Sequence, residues 1–140
     1  MPQTDCVFCK IVAGQIPSAR VYEDDACIAF LDIGPLADAH LLVVPKEHYE
    51  WITDMPPRAV AAVTQPIPQL ARAVMKVTGA EGFNVLQNNG KVSGQAVPHV
   101  HFHIIPRREA DGLGYRWNAT QYPGGKLQQL QQAILKATES

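Results

Sequence analysis

The residues best suited to chemistry lie in the stretch 99–107, where histidine alternates with apolar residues before an apolar run begins. Alternation with period two predicts a β-strand, on which every second side chain faces the same way. His99, His101 and His103 are therefore expected on one face of this strand, with the intervening apolar side chains entering the core from the other face. Three imidazoles on one face are an unusual concentration of proton donors and acceptors.

Three interpretations of these histidines follow from their chemistry. They could form a polar, solvated strand face, or a three-histidine site of the kind found in catalytic zinc enzymes. They could also support nucleophilic catalysis, in which one ring attacks and its neighbours bind an anion. His101, in the middle, is the candidate nucleophile, because a neutral imidazole is available near pH 7. It could attack phosphorus, forming a phospho-histidine intermediate that water then cleaves, while His103 binds the phosphoryl oxygens; this scheme requires no catalytic metal.

A second motif, Cys6-x-x-Cys9, stands close to the N-terminus. Such a spacing is typical of a redox pair or of half a zinc site, and the absence of a preceding strand favours zinc. Two thiolates need two further ligands, for which His48 and His99 are candidates. A pair of buried, inert thiols is the alternative.

The elements that must position these residues are strands and one long amphipathic helix. Strands are predicted over 20–23, 27–32, 39–45 and 82–87, in addition to 99–107. The main helix is predicted over 56–79, from an apolar stripe expected to pack on the sheet or on a partner chain: Val60, Val63, Ile67, Leu70, Val74 and Val77. Prolines 66 and 68 predict a kink or break near residues 64–65. A C-terminal amphipathic helix over 126–138 follows a long loop.

Three further positions are candidates for ligand contact or support. Asp32 ends an apolar strand face, although an acid before Gly34-Pro35 can equally be a turn residue. The loop from Lys91 to Pro98 contains Gly94, which frees the backbone to approach a ligand and could present N–H groups to an anion. His40 is expected to be structural, bonded to nearby backbone.

Length and composition set the broad class. The chain has 140 residues, with 12 basic and 13 acidic side chains, so one domain is expected and no charge excess favours a nucleic-acid or membrane partner. No apolar run approaches the roughly 20 residues needed to cross a bilayer. The first residues do not resemble a signal peptide, and three cysteines argue against a disulfide framework, so a cytoplasmic location is expected.

The stretch Gly94-Gln95-Ala96-Val97-Pro98, followed by His-Val-His-Phe-His-Ile, resembles the signature of the histidine triad (HIT) nucleotide-binding family. The resemblance implies one HIT domain over 1–140, with 109–140 appended to the core. The implied fold is α+β, a five-stranded antiparallel sheet with a main helix and a C-terminal helix. Members of this family dimerise by joining their sheets, with the long helix and C-terminal segment in the interface, so a homodimer is expected.

The resemblance also implies a role for each site residue. His101 would be the nucleophile that takes up a nucleoside monophosphate, His103 would bind its α-phosphate, and Asp32 would hold the ribose hydroxyls. The implied purine slot consists of Phe8, Ile11, Ile16, Phe30 and Ile33, and the phosphate side of Asn88, Gly94, Gln95, Ala96 and Val97. Members with Cys-x-x-Cys at this place bind a structural zinc ion, for which the matching ligands are Cys6, Cys9, His48 and His99.

The expected function is release of a purine nucleoside 5′-monophosphate from a phosphoramidate, a dinucleoside polyphosphate or a related substrate through a nucleotidyl-histidine. Ala96 stands where phosphoramidase members carry Ser, and the loop over 109–125 matches no assigned pattern. The reaction class is therefore better defined than the leaving group. A nucleotide-binding module with little turnover and a metallohydrolase using all three histidines are the alternatives.

Overall fold

The computed structural model describes residues 3–114 and 118–138, and its centre is one antiparallel sheet of five strands in the order β1-β2-β3-β5-β4. The predicted α+β architecture is confirmed. The strands are β1 (Arg20–Glu23), β2 (Cys27–Leu31), β3 (Leu41–Pro45), β4 (Gly82–Gln87) and β5 (Phe102–Arg107). The helices are α1 (Val7–Val12), α2 (Pro57–Thr64), α3 (Ile67–Thr78) and α4 (Lys126–Thr138), with short 3₁₀ turns at Ile52–Asp54 and Lys91–Ser93.

The main helical segment is divided where its prolines require it. The helix α2 ends at Thr64, and α3 begins at Ile67 after Pro66, which confirms the predicted break. Most of the predicted stripe faces the sheet, but Val77 is 81% exposed and does not join that core. It borders an open cavity of about 590 Å³ beside the last turn of α3, so the predicted packing on the sheet is wrong for this side chain, and the predicted contact with a partner chain stays a prediction.

The sheet separates two apolar clusters. On one face, Val100, Phe102 and Ile104 pack with the buried side of α2 and α3. On the other face, the cluster joins α1 to the central strands and consists of Cys6, Phe8, Cys9, Ile11, Ile28, Phe30, Leu42 and Val44. The site histidines lie on this second face, so α1 and the central strands β2 and β3 form its floor.

The histidine strand is shorter than predicted. The strand β5 begins at Phe102, so His99 and His101 precede its ladder. The reason is a different set of backbone partners, since His99 N–H donates to Val97 O and Val100 N–H donates to Tyr49 O. The predicted alternation of faces nevertheless continues through 99–103, because Val100 and Phe102 both enter the core on the helix side.

Other boundaries differ by one or two residues. The strand β2 ends at Leu31 and β3 begins at Leu41, so Asp32 and His40 both lie just outside their strands and face each other, with Asp32 N–H donating to His40 O at 2.9 Å. The residues of α4 are all exposed. No helix among the described residues has the length and hydropathy needed to span a membrane.

Candidate active site and metal site

His101 is held as a neutral imidazole with one nitrogen left for chemistry. Its Nδ1 lies 2.7 Å from His99 O, so Nδ1 carries the proton and donates it, and the lone pair of the neutral ring is on Nε2. The residue is only 5% exposed, and burial lowers its pKa from the ordinary value near 6.5. The ring of Phe8 lies across it edge to face, with centroids 5.0 Å apart, which restricts its orientation.

His103 is the second ring on this face and is supported by His40. The Leu36 N–H donates to His40 Nδ1 at 3.1 Å, which places the His40 proton on Nε2. That nitrogen is 2.9 Å from His103 Nδ1, so His40 donates and His103 accepts. The remaining proton of His103 is then on Nε2, where it can donate to an anion. Burial, with His101 and His40 nearby, lowers the pKa of His103 to about 4.

His40 is the residue whose contact sequence reasoning missed. Its predicted backbone bond is present, but the contact with His103 makes it part of the site. A signal was available, because His40, Leu42 and Val44 alternate along the same strand face, and Leu42 pairs with His103 across β3 and β5. What the sequence could not show was that β3 and β5 are neighbours.

Asp32 lies beside this pair and remains accessible. Its Oδ1 accepts a hydrogen bond from Gly34 N–H at 2.9 Å, as the turn interpretation expected, and its Oδ2 is 3.7 Å from His40 Nε2. The other oxygen lone pairs of this half-buried carboxylate are open to a ligand. Both predicted roles, turn residue and ligand contact, are compatible with this geometry.

The apolar residues predicted to hold the base fall into two groups. Phe8, Ile11 and Phe30 are buried in the cluster under the site histidines, and Ile16 packs against that cluster. Ile33 is 99% exposed and packs on none of them, so it can contact a base only from the outer side.

The residues predicted for the phosphate side surround the loop between β4 and His99. Gly94 has φ of +104°, a conformation that favours glycine, and Asn88 Nδ2 lies 3.4 Å from the point where a Cβ on Gly94 would stand. Ala96 is exposed, and together with Val97 it lines a cavity of about 420 Å³. Gln95 is buried and its side chain bonds to main-chain groups, so it is enclosed within the loop.

Cys6, Cys9, His48 and His99 are brought together as predicted and could hold a metal ion. His99 Nε2 donates to Pro45 O at 2.9 Å, which leaves the Nδ1 lone pair directed at the sulfur atoms. His99 Nδ1 is 3.3 Å from Cys6 Sγ, and Cys9 Sγ is 3.4 Å from His48 Nδ1. Tetrahedral zinc with ordinary bond lengths requires sulfur–nitrogen separations of about 3.5 Å. The donor set and its spacing therefore fit a closed, four-ligand zinc site.

A second group with metal-ligand chemistry, Asp32, His40 and His103, fits a metal less well. A neutral histidine binds a metal through its unprotonated nitrogen, and in His40 that nitrogen is Nδ1, which already accepts the Leu36 N–H. Its Nε2, which faces His103, carries a proton. This group is therefore better described as a chain of hydrogen bonds than as a cation site.

The metallohydrolase alternative requires His99, His101 and His103 to converge on one metal ion, and they do not. Neither of the two metal-competent groups found among the described residues contains all three, and His101 belongs to neither of them. His99 directs Nδ1 toward the sulfur atoms, whereas His101 uses Nδ1 to bond the His99 carbonyl. The geometry therefore places His99 with the cysteine sulfur atoms and leaves His101 and His103 outside that group.

A sequence model of the HIT domain matches residues 13–110, which is more than half of the chain. The chain belongs to the HIT domain family. Relatives confirm the assignment over most of its length. The adenylylsulfatase HINT3 of Arabidopsis thaliana is 48% identical over 111 residues, which are 79% of this chain. The chain spans only 56% of the length of that relative.

The adenosine 5′-monophosphoramidase HNT1 of Saccharomyces cerevisiae is 41% identical over 135 residues, covering 96% of this chain and 83% of the yeast protein. Among solved structures, a Streptococcus mutans protein, SMU.412c, superposes with a TM-score of 0.94 at 42% identity, over 97% of this chain and 87% of that one. A zinc-bound histidine triad family protein from Mycobacterium smegmatis has a TM-score of 0.74 at 38% identity, over 96% and 97% of the two chains.

Proposed function

We propose that this HIT protein hydrolyses adenosine 5′-monophosphate derivatives, releasing AMP through a covalent intermediate on His101. The observation that carries the proposal is the bond from His101 Nδ1 to the His99 carbonyl, which leaves the Nε2 lone pair unprotonated. A nucleophile must be oriented and must have a free electron pair, and this one has both without a neighbouring base.

In the proposed reaction, His101 Nε2 attacks the phosphorus and the bond from phosphorus to the leaving group breaks. The leaving group departs with the electron pair and takes up a proton. Water then attacks the phosphorus of the nucleotidyl-histidine and loses a proton to solvent, which balances the proton that the leaving group took from solvent. The bond from phosphorus to His101 Nε2 breaks, and AMP is released with the neutral ring restored. Each displacement moves negative charge onto the non-bridging oxygens, where fixed donors are most effective.

His103 is proposed as the main side-chain donor to those oxygens. Its Nε2 proton is fixed by the bond that Nδ1 accepts from His40, and its lowered pKa keeps it a neutral donor near pH 7. Asp32 is proposed to accept hydrogen bonds from the ribose hydroxyls, since its outward lone pairs are open. The purine is proposed to lie against Phe8, Ile11, Ile16, Phe30 and Ile33.

The substrate class follows from the relatives. One is named an adenosine 5′-monophosphoramidase and another an adenylylsulfatase, so the shared chemistry is an adenylyl group bonded to a leaving group at phosphorus. We propose a phosphoramidate of AMP as the substrate class, with dinucleoside polyphosphates as a second substrate class for the same site. Nucleotide is thus the proposed small-molecule partner, and the homodimer implied by the family resemblance is proposed as the assembly.

Zinc is proposed as the occupant of the Cys6, Cys9, His48 and His99 group. The donor set and spacing support it, as does the zinc-bound relative from Mycobacterium smegmatis. When bound with four protein ligands, zinc supplies structural cross-linking and has no open position for water. No step of the proposed reaction passes through it.

A binding module with little turnover is the second candidate, because Ala96 offers only a methyl group where the family resemblance implies a serine hydroxyl in phosphoramidase members. The test is turnover of adenosine 5′-phosphoramidate by the wild-type protein, by His101→Ala and by Gln69→Met, an exposed control on α3. We expect turnover by wild type and Gln69→Met, and AMP binding without turnover by His101→Ala. Equal rates in all three proteins would eliminate the proposed nucleophile. AMP binding with no turnover by wild type and by Gln69→Met would establish the binding module.

A further inference from the structure

Gln95 was expected to contact the nucleotide, but its side chain is enclosed within the protein. It is 6% exposed, and both ends of its amide are occupied. Gly90 N–H donates to its Oε1 at 2.7 Å, and its Nε2 donates to Glu50 O at 2.7 Å. Because both polar ends of this buried amide bond to main-chain groups, the Gln95 side chain links two segments of the backbone and restricts their relative position.

The two segments that Gln95 joins are the phosphate loop, residues 88–98, and the segment 49–52. Segment 49–52 has two further ties, since Ile52 N–H donates to Asn89 Oδ1 at 2.7 Å, and Tyr49 O accepts the Val100 N–H at 2.7 Å. Trp51 adds a packing contact, because its ring lies 3.2 Å from the point where a Cβ on Gly90 would stand. The turn at Gly90 is therefore held by bonds and by an indole ring.

The bonds within the loop show what this support positions. Gly94 N–H donates to Lys91 O, and Gln95 N–H donates to Gly90 O at 3.2 Å, so these two amides are used internally. Among the described residues, the N–H groups of Ala96 and Val97 have no hydrogen-bond acceptor. Fixing Gln95 fixes the direction of the two amides that immediately follow it.

We propose that Gln95 is a positioning residue that holds the Ala96 and Val97 amides in place for a phosphoryl group by tying their loop to Glu50 and Gly90. The proposal depends on the proposed function only for the identity of the bound anion. The tie itself is a property of the free protein. A misplacement of such donors by about 1 Å can reduce the rate about 100-fold, although the residue that moved them touches no substrate.

The test compares Gln95→Met with Gln69→Met, the same change at an exposed helical position. Methionine matches glutamine in length but cannot make either hydrogen bond. In the nucleotide-free protein, we expect amide hydrogen exchange in residues 88–97 to accelerate about tenfold or more in Gln95→Met alone. We also expect kcat/KM for adenosine 5′-phosphoramidate to fall about 10- to 100-fold, with most of the loss in kcat.

Gln95→Glu provides a second variant in case Gln95→Met folds poorly. Its carboxylate keeps the acceptor for Gly90 N–H but faces the Glu50 carbonyl without a proton to donate. Protonation at lower pH restores the donor, so loop protection relative to wild type should recover as pH falls.

Three results would overturn the proposal. They are unchanged exchange of residues 88–97 in nucleotide-free Gln95→Met, unchanged kcat/KM despite faster exchange, and no recovery of loop protection in Gln95→Glu at acid pH. Lost activity with unchanged exchange would instead assign Gln95 to direct substrate contact. If wild type has no turnover, the exchange measurements and AMP affinity still test the tie, so failure of the proposed reaction and failure of this inference are distinguishable.

Discussion

At the scale of single residues, the site is organised by which nitrogen of each histidine carries the proton. Backbone carbonyls fix His99 and His101, and a backbone N–H fixes His40, which in turn fixes His103. Each ring therefore presents a definite donor or acceptor to its surroundings. The sequence predicted the face and the types of these residues, but not their tautomers. His99 and His103 are fixed by residues distant in the chain, Pro45 and His40, and the local partners of His101 and His40 depend on loop backbone conformations that hydrophobic periodicity does not specify.

The pH dependence of the reaction should reflect burial of His101. Burial lowers its pKa below 6.5, so the ring stays neutral and nucleophilic at pH values where an exposed histidine is protonated. We therefore expect kcat/KM to fall on the acid side with a midpoint below pH 6.5. This midpoint is tested by measuring kcat/KM from pH 4.5 to 8 with a substrate whose leaving group does not titrate in that range. An acid limb with its midpoint near or above pH 6.5 would contradict a nucleophile whose pKa is lowered by burial.

Ala39, immediately before His40, has φ of +68°, a left-handed conformation that a side chain disfavours. Such strain costs roughly 1–2 kcal/mol, partly offset in Ala39→Gly by the greater freedom of glycine in the unfolded chain. We expect Ala39→Gly to raise the free energy of unfolding by about 0.5–1 kcal/mol, measured by urea denaturation.

The matched control is Ala61→Gly, at an exposed helical position in α2, which should lower the free energy of unfolding by about 1 kcal/mol. Destabilisation of similar size in both variants would mean that the residue before His40 is not strained.

At the scale of elements, local sequence predicted most boundaries: hydrophobic periodicity predicted β4 and α4, and the two prolines predicted the break between α2 and α3. The predicted start of β5 at residue 99 was wrong for a non-local reason, since Val100 N–H donates to Tyr49 O before the ladder begins. Val77 follows the helical period but lies beyond the sheet-facing core. Periodicity specifies which face is apolar but does not specify what covers it.

The helix α1 depends on elements outside itself. With six residues it is too short to be stable alone, and two of its supports are Cys6, which accepts from Cys9 N–H at the N-cap, and Cys9 itself. We expect removal of zinc by a chelator, or Cys9→Ser, to lower the melting temperature and to accelerate amide exchange in residues 6–13.

The control is Cys27→Ala, because Cys27 is buried in the other apolar cluster and belongs to no metal-competent group among the described residues. This variant should lose stability through packing while retaining its metal. Full protection of residues 6–13 in metal-free protein would contradict a structural role for the site.

At the scale of the whole molecule, several apolar side chains remain exposed in the single chain. The helix α4 exposes Leu127, Leu130, Ile134 and Leu135, and edge strand β4 exposes Phe83 and Val85. Apolar surface of this kind commonly marks an interface, and the family resemblance assigns it to a homodimer. The sequence predicted the apolar side of α4, and the structure adds that nothing within the described chain covers it.

Removal of residues 126–140 tests that assignment. Because α4 contributes no buried side chain to the single chain, we expect the truncated protein to keep its fold and metal content. We expect the dimer dissociation constant of the truncated protein, measured by sedimentation equilibrium, to be larger than that of the full chain. An unchanged association constant in the folded, truncated protein would show that α4 is not an interface element.

The most direct test of the reaction is detection of the nucleotidyl group on His101. After rapid mixing with adenosine 5′-phosphoramidate and an alkaline quench, peptide mass spectrometry should find an adenylyl adduct on His101 in the wild-type protein. The same experiment with His101→Ala should find none. An adduct on another residue, or steady turnover with no adduct at any time, would contradict the central claim that this imidazole is the nucleophile.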